Sequence, residues 1–292
     1  MAIWNLGSIN IDHVYRLAHL VAPGETLAAE SYSFGLGGKG ANQSVAAARA
    51  GARVVHLGGA GPEGWALARL AGYGVDCSGV QRLDVPTGHA IITVDRGGEN
   101  AIVIFAGANR AFAAGGALQA LQAAAPGDTL MLQNETAHGP AVARAARAKG
   151  MRVIYSAAPF EVEAVQAVLP HVTLLVLNAV EAAQLCDALG LGLEALPVPE
   201  LLVTRGSEGA EWRDLVSGAR LVQPAFRVQP VDTTGAGDTF AGYFAAAYDA
   251  GMAPAAALRL AAAAAALKVT RAGAADAIPA RLEVDAFLEG RA

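Results

Sequence analysis

The stretch Asp232–Phe244, DTTGAGDTFAGYF, limits the fold more than any other part of the chain. The run that follows its glycines, FAGYFAAAYDAG, is Ala-rich and amphipathic and predicts a helix. Gly235, Ala236, Gly237 and Asp238 therefore fall where a loop becomes a helix N-terminus. Free backbone N–H groups and the positive end of the helix dipole collect there. Such a mouth binds an anion. An acid at this place either caps the helix or does chemistry beside the anion.

The rest of the chain supplies a frame. Buried strands are expected at AIWNLGS, RVVHLGGAG, TLMLQNE, RVIYSAA, TLLVLNA and LLVTRGS. Helical segments alternate with them: GKGANQSVAAARAGA, EGWALARLAGYG, GPAVARAARAKG, EVEAVQAVL and VEAAQLCDALG. That rhythm predicts a mostly parallel sheet with helices on both faces, a three-layer α/β/α fold. EGAEWRD and GARLVQP form one more hairpin, and helices around 236–250, 254–271 and 282–288 close the chain. Two pieces break the rhythm. HVYRLAHL and ETLAAESYSFGLG read as a strand pair, and TGHAIITVDRGGENAIVIFAGAN reads as a hairpin turning at DRGGEN. Together they predict a small separate sheet, a lid.

The 292 residues, 54% of them hydrophobic, suffice for one large α/β domain with a sizeable core. The net charge of −5, without a basic block, argues against a nucleic-acid partner. Cys77 and Cys186 fit no metal spacing and read as reduced core residues of a cytosolic protein. The N-terminus lacks a signal-peptide pattern. ALRLAAAAAALKV is short and carries Arg259 and Lys268, so it reads as a buried helix, since a membrane span needs ~20 apolar residues.

In FGLGGKGANQS, Gly35, Gly37 and Gly40 match GxGxxG between a strand and a helix. A dinucleotide site also needs a carboxylate at the end of the next strand, and HLGGAG has none. A Walker A loop needs Ser or Thr after its lysine, and Lys39 is followed by Gly40. What remains is a tight turn holding Lys39 and Asn42 at a helix start. That set suits a polyhydroxylated ligand, or it is a plain turn with a surface lysine. GSINIDH puts Asn10 and Asp12 beyond the first strand, where ligands of open α/β sheets bind, or where an ordinary turn forms. Glu135, Asn178 and Thr204 end later strands. Glu181 is either a magnesium partner through water or an acid of a first helical turn. Thr204, Arg205 and Gly206 are candidates for a nucleotide contact, or a lead into a hairpin. Helix-start amides at 235–238 can hold charge growing on a transferring phosphoryl group, and Asp238 can take a proton from an attacking hydroxyl.

GGKGANQ and DTTGAGDTFAGYF together resemble the two signature regions of the ribokinase-like (PfkB) carbohydrate kinases. The resemblance runs from GSINID through AGAN, NAVE and TRGSEG to VTRAGA and AIP. GSINID with GGKGANQ is more similar to the ribokinase branch than to the fructokinase, adenosine kinase or ketodeoxygluconate kinase branches. The resemblance implies one domain over 1–292 with a lid from about 12–37 and 86–106. It implies an ATP-dependent sugar kinase of the cytoplasm, with D-ribose to D-ribose 5-phosphate as the expected reaction. Asn10, Asp12, Gly38, Lys39, Asn42 and Glu135 would hold the sugar. Asp238 would be the base, and Gly235, Ala236 and Gly237 the anion hole. Asn178, Thr204, Gly206 and Gly237 would meet ATP, with Glu181 on Mg²⁺ through water. Asp232 and Thr234 would hold a monovalent cation, potassium. A homodimer through the lid is implied as well.

Three departures accompany it. The 182–203 connection is about a helix shorter than typical of the branch. Near the expected adenine contact lies the alanine run 261–266, with no polar side chain. Ala277 stands where the branch places a serine hydroxyl on the cation. Kinases of the same fold for a ketose, a deoxy sugar or a nucleoside are the nearest rivals. A nucleoside needs a large apolar or aromatic slot for its base, and aromatics are 6% of the chain. A non-catalytic sugar-binding regulator would need neither Asp238 nor the Gly-Ala-Gly hole.

Overall fold

The computed structural model describes residues 1–291. Its main sheet has nine strands: β1 (Ala2–Leu6), β4 (Arg53–Ala60), β5 (Asp76–Arg82), β8 (Thr129–Leu132), β9 (Arg152–Ser156), β10 (Leu174–Asn178), β11 (Glu200–Thr204), β12 (Ala210–Asp214) and β13 (Arg220–Gln223). The order is β13-β12-β11-β10-β9-β8-β1-β4-β5. Every pairing from β11 to β5 is parallel, and the β11–β12 and β12–β13 pairings at the edge are antiparallel. Strand order reverses at β1, between β8 and β4. Ligands of such sheets bind outside the carboxyl ends at that point.

Alternating side chains divide the interior in two. Ile3, Val54, Met131, Ile154, Leu174 and Leu202 pack on one side of the sheet. They meet α1 (Lys39–Arg49), α8 (Ala236–Asp249) and α9 (Pro254–Val269), with α2 (Trp65–Gly72) and α10 (Arg281–Glu289) outside. Trp4, Leu6, Val55, Leu130, Tyr155 and Leu201 pack on the other side. They meet α4 (Ala114–Ala120), α5 (Gly139–Ala148), α6 (Val162–Val168) and α7 (Ala179–Leu189), with the short α3 (Ala108–Ala111) leading in. This is the three-layer fold expected.

A second sheet holds β2 (Asn10–Arg16), β3 (Ser31–Gly37), β6 (Gly88–Val94) and β7 (Asn100–Phe105), in the order β3-β2-β6-β7. The early strand pair is shorter than expected. Residues 17–30 leave the ladder around Pro23 and Gly24, which turns at φ 82°. β5, α3 and α4 are elements the sequence reading did not find. Both cysteines are only partly buried, not core residues. The short 182–203 connection is closed by Gly190 in the left-handed region and a single 3₁₀ turn at Leu193–Ala195. Among the described residues no helix is long and apolar enough to cross a membrane.

Candidate active site

Two glycines let α1 start against β1. A Cβ on Gly40 would lie 2.3 Å from the Gly7 Cα, so neither position accepts a side chain. The contact brings the start of α1 to the carboxyl end of the sheet, beside α8. Gly235 caps α8 at φ 70°, and the amide of Ala236 turns back to the Thr233 carbonyl at 3.2 Å. The Thr239 amide and hydroxyl both donate to the Gly235 carbonyl, each at 2.9 Å. This leaves the amides of Gly237 and Asp238 at the helix mouth, where the dipole favours an anion.

Asp238 sits in the first turn of α8 and is 9% exposed. Asn42 Nδ2 donates to its Oδ2 at 3.0 Å, and Gln43 Nε2 to its Oδ1 at 3.1 Å. Both bonds aim an amide N–H at the carboxylate. Gln43 is held in turn by a buried chain of side chains. Gln133 Nε2 donates to Gln43 Oε1 at 2.7 Å and to Asn5 Oδ1 at 3.0 Å. Asn5 Nδ2 donates to Ser44 Oγ at 2.8 Å, and Ser44 Oγ meets His56 Nδ1 at 2.8 Å. His56 Nε2 reaches the Gly7 carbonyl at 2.9 Å. A carbonyl only accepts, so Nε2 carries the proton and Nδ1 accepts from Ser44. Burial pushes the His56 pKa down to about 4, so the ring stays neutral.

Asn10 and Asp12 lie on one face of β2, two residues apart. Asn109, just after β7, donates from Nδ2 to Asn10 Oδ1 at 2.8 Å and accepts the Ile9 amide at 2.9 Å. Burial, with Glu135 nearby, pushes the Asp12 pKa up to about 6. Glu135 Oε2 accepts the Lys39 amide at 2.9 Å and the Ser8 hydroxyl. Gly38, at φ 89°, makes the turn that aims Lys39. Asn42 Oδ1 is buried and has no partner among the described residues. Asn10, Asp12, Gly38, Lys39, Asn42, Glu135 and Asp238 thus gather at one end of the sheet.

Asn178 and Thr204 are register partners at the ends of β10 and β11, with exposed Gly206 after them. Asn178 Oδ1 accepts the amides of Val180 and Glu181, both at 2.9 Å. Glu181 Oε2 accepts the Asn178 amide at 2.8 Å. Glu181 is therefore a capping-box acid, and only its second oxygen is left for water or a metal. Burial raises its pKa, against the pull of the Asn178 amide and Lys39. The alanine run belongs to α9. Ala261–Ala264 and Ala266 are core, so their side chains face helix packing rather than a ligand.

The surroundings of Asp232 and Thr234 do not fit the expected potassium. Asp232 Oδ1 accepts the Thr234 amide and Oδ2 the Gly273 amide, both at 2.8 Å. The Asp232 carbonyl already accepts from Lys268 Nζ at 2.9 Å. Ala277 is buried and offers a methyl group.

Sequence reasoning missed Gln43, Gln133, Asn109, Asn5, His56 and Lys268. Gln43 and Asn109 lie inside quoted motifs, so their signal was present. The others are polar residues in apolar runs, and that alone was a signal.

A helix N-terminus with free amides beside a buried carboxylate, with Asn10, Asp12, Lys39 and Glu135 gathered nearby, is an arrangement suited to phosphoryl transfer. Comparison with known proteins narrows the class. The profile described as pfkB family carbohydrate kinase matches residues 3–281, and the chain belongs to that family. Haemophilus influenzae ribokinase is 34% identical over 301 residues, covering 97% of each chain. Bacillus subtilis ribokinase is 34% identical over 293 residues, covering 97% of this chain and 98% of its own. The structure of Arabidopsis thaliana ribokinase complexed with ribose and ATP superposes with a TM-score of 0.86 at 29% identity, covering 99% and 98%.

Proposed function

We propose that the protein is an ATP-dependent sugar kinase that converts D-ribose to D-ribose 5-phosphate. One observation carries the chemistry: the Asp238 carboxylate, aimed by Asn42 and Gln43, lies in the first turn of the helix whose mouth binds an anion. Asn10, Asp12, Lys39 and Glu135 hold the sugar hydroxyls. Asp238 takes the proton of the primary hydroxyl as its oxygen attacks the γ-phosphorus. The bond from phosphorus to the bridging oxygen breaks, and ADP leaves. The amides left free by the Gly235–Ala236 turn, those of Gly237 and Asp238, stabilise the charge on the transferring group. Magnesium bound to ATP would offset the phosphate charge, and the second carboxylate oxygen of Glu181 would hold it through water. Asn178, Thr204, Gly206 and Gly237 line the nucleotide side. Dependence on ATP suits the cytoplasm.

The small sheet, about 12–37 and 86–106, acts as a lid that closes over the sugar and excludes water. The chain works as one domain with this lid, and two lids pair in a homodimer. Exposed Tyr32, Phe34, Val103 and Phe105, on one side of the sheet, support that face. An ADP-release assay with MgATP across sugars and nucleosides tests the reading. Ribose-dependent turnover above the no-sugar rate is expected. Turnover on another member alone would move the substrate, and no turnover with any would sink the kinase reading.

A further inference from the structure

Lys268 is one of three lysines in the chain and has 0% exposure. It lies in the last turn of α9. Its Nζ donates at 2.9 Å to the Asp232 carbonyl, in the loop that leads into the mouth of α8. A buried ammonium is costly unless an opposite charge or dipoles face it. Here the loop supplies both. Burial lowers the pKa of Lys268, and the charge of Asp232 pulls it back up. Burial opposes the Asp232 charge, yet the amides of Thr234 and Gly273 and the Lys268 charge keep its carboxyl below the usual range.

The loop is tied to the end of α9 around this charge. The amides of Val231 and Asp232 both donate to the Val269 carbonyl, at 2.7 and 3.1 Å. The Asp232 carboxylate joins Thr234, one residue before the Gly235 cap, to Gly273 beyond α9. The loop that sets the direction of the 235–238 amides is thus organised around a fixed positive charge. A free monovalent cation would need oxygen ligands at this place. The Asp232 carbonyl already accepts from Lys268, both its carboxylate oxygens accept amides, and the Ala277 side chain offers no oxygen.

We propose that the Lys268 ammonium is a tethered cation that stands where a free potassium ion would, so the enzyme needs no monovalent cation. Lys268 is a positioning residue. It touches no substrate and acts through Asp232 on the helix mouth. The inference rests on the kinase reading for its activity readout, and a second readout is independent of it.

The test compares potassium, sodium and tetramethylammonium salts at equal ionic strength. In each salt, ribose turnover and the melting midpoint are measured for the wild type, Lys268→Ala and Lys268→Met. Wild-type turnover is expected to change by less than about twofold between salts, with no potassium-specific rise in melting midpoint. Lys268→Ala opens a space, so its turnover in tetramethylammonium should fall on the order of tenfold or more. Potassium or methylammonium should restore it, and potassium should raise its melting midpoint. Lys268→Met fills the space without charge and should show the loss without the rescue. A purely structural lysine would show losses that no cation repairs. Wild-type activation of about tenfold by potassium would overturn the proposal, on the scale of a lost electrostatic contact. So would Lys268→Ala turning over normally in tetramethylammonium. If no sugar is phosphorylated at all, the kinase reading fails, and the melting midpoints still decide. A potassium-specific rise confined to Lys268→Ala supports the tethered cation, and one in the wild type overturns it. Should neither variant fold, the wild-type comparison decides alone.

Discussion

At the residue scale, the proposed chemistry rests on Asp238, whose carboxylate is held by Asn42 and Gln43. Asp238→Asn keeps the shape but cannot accept the hydroxyl proton. Turnover should fall by about 10²-fold or more, with a much smaller change in KM for ribose. Near-wild-type turnover would remove the base from this position. Asp12 gives a pH dependence. Its pKa lies near 6, above the ordinary 3.8, so between these values the folded chain holds a proton that the unfolded chain has lost. Its ionisation therefore costs stability as pH rises through that window. Sugar binding runs the other way, because hydroxyl donors prefer the carboxylate. We expect kcat/KM for ribose to rise about tenfold per pH unit below pH 6 and then flatten. A profile of Asp12→Asn that keeps the same limb would assign it elsewhere. At this scale the motif residues were legible, because GGKGANQ and GAGD are local patterns. Asn5, Gln133 and His56 were not. They are polar residues inside strand-like runs, and only the fold shows that they meet.

At the element scale, α1 and α8 must pack closely enough for Asn42 and Gln43 to reach Asp238. Gly242 sets that approach. A Cβ there would lie 2.5 Å from the Ala46 Cβ and 2.6 Å from the Gln43 carbonyl. Gly242→Ala should lower stability by about 1–3 kcal/mol in urea unfolding. It should also lower turnover, because the helix that carries Gln43 must move. Unchanged values for both would show that the interface yields freely. The alternating βα rhythm made the helices around the parallel strands legible. β5 escaped because its polar, half-exposed residues sit at the sheet edge, away from the apolar pattern of the inner strands. α4 escaped because Gly115 and Gly116 weaken the local preference for helix, and packing overrides it.

At the scale of the whole molecule, the small sheet presents an apolar face that nothing in one chain covers. On the side shared with Phe34, Val103 is 68% and Phe105 50% exposed. If two lids pair, Val103→Glu should shift the protein toward monomers in sedimentation velocity and raise KM for ribose. A wild-type protein that is monomeric at every concentration would remove the dimer. The small sheet was legible because two strand pairs fell outside the βα rhythm. Its exposed face was not, since apolar alternation gives no sign of which side faces water.

The buried chain behind Asp238 has a direction. The Gln133 nitrogen donates both ways, toward Asp238 through Gln43 and toward the Gly7 carbonyl through Asn5, Ser44 and His56. An acid at Gln133 would set acceptor against acceptor on both branches. Gln43 would then have to turn its oxygen toward the base and raise its proton affinity. A change of one atom, two side chains from the reacting hydroxyl, would thus be transmitted as a reversal of sign. Inheritance can retune this base from a distance, but only by steps that keep the whole relay in phase.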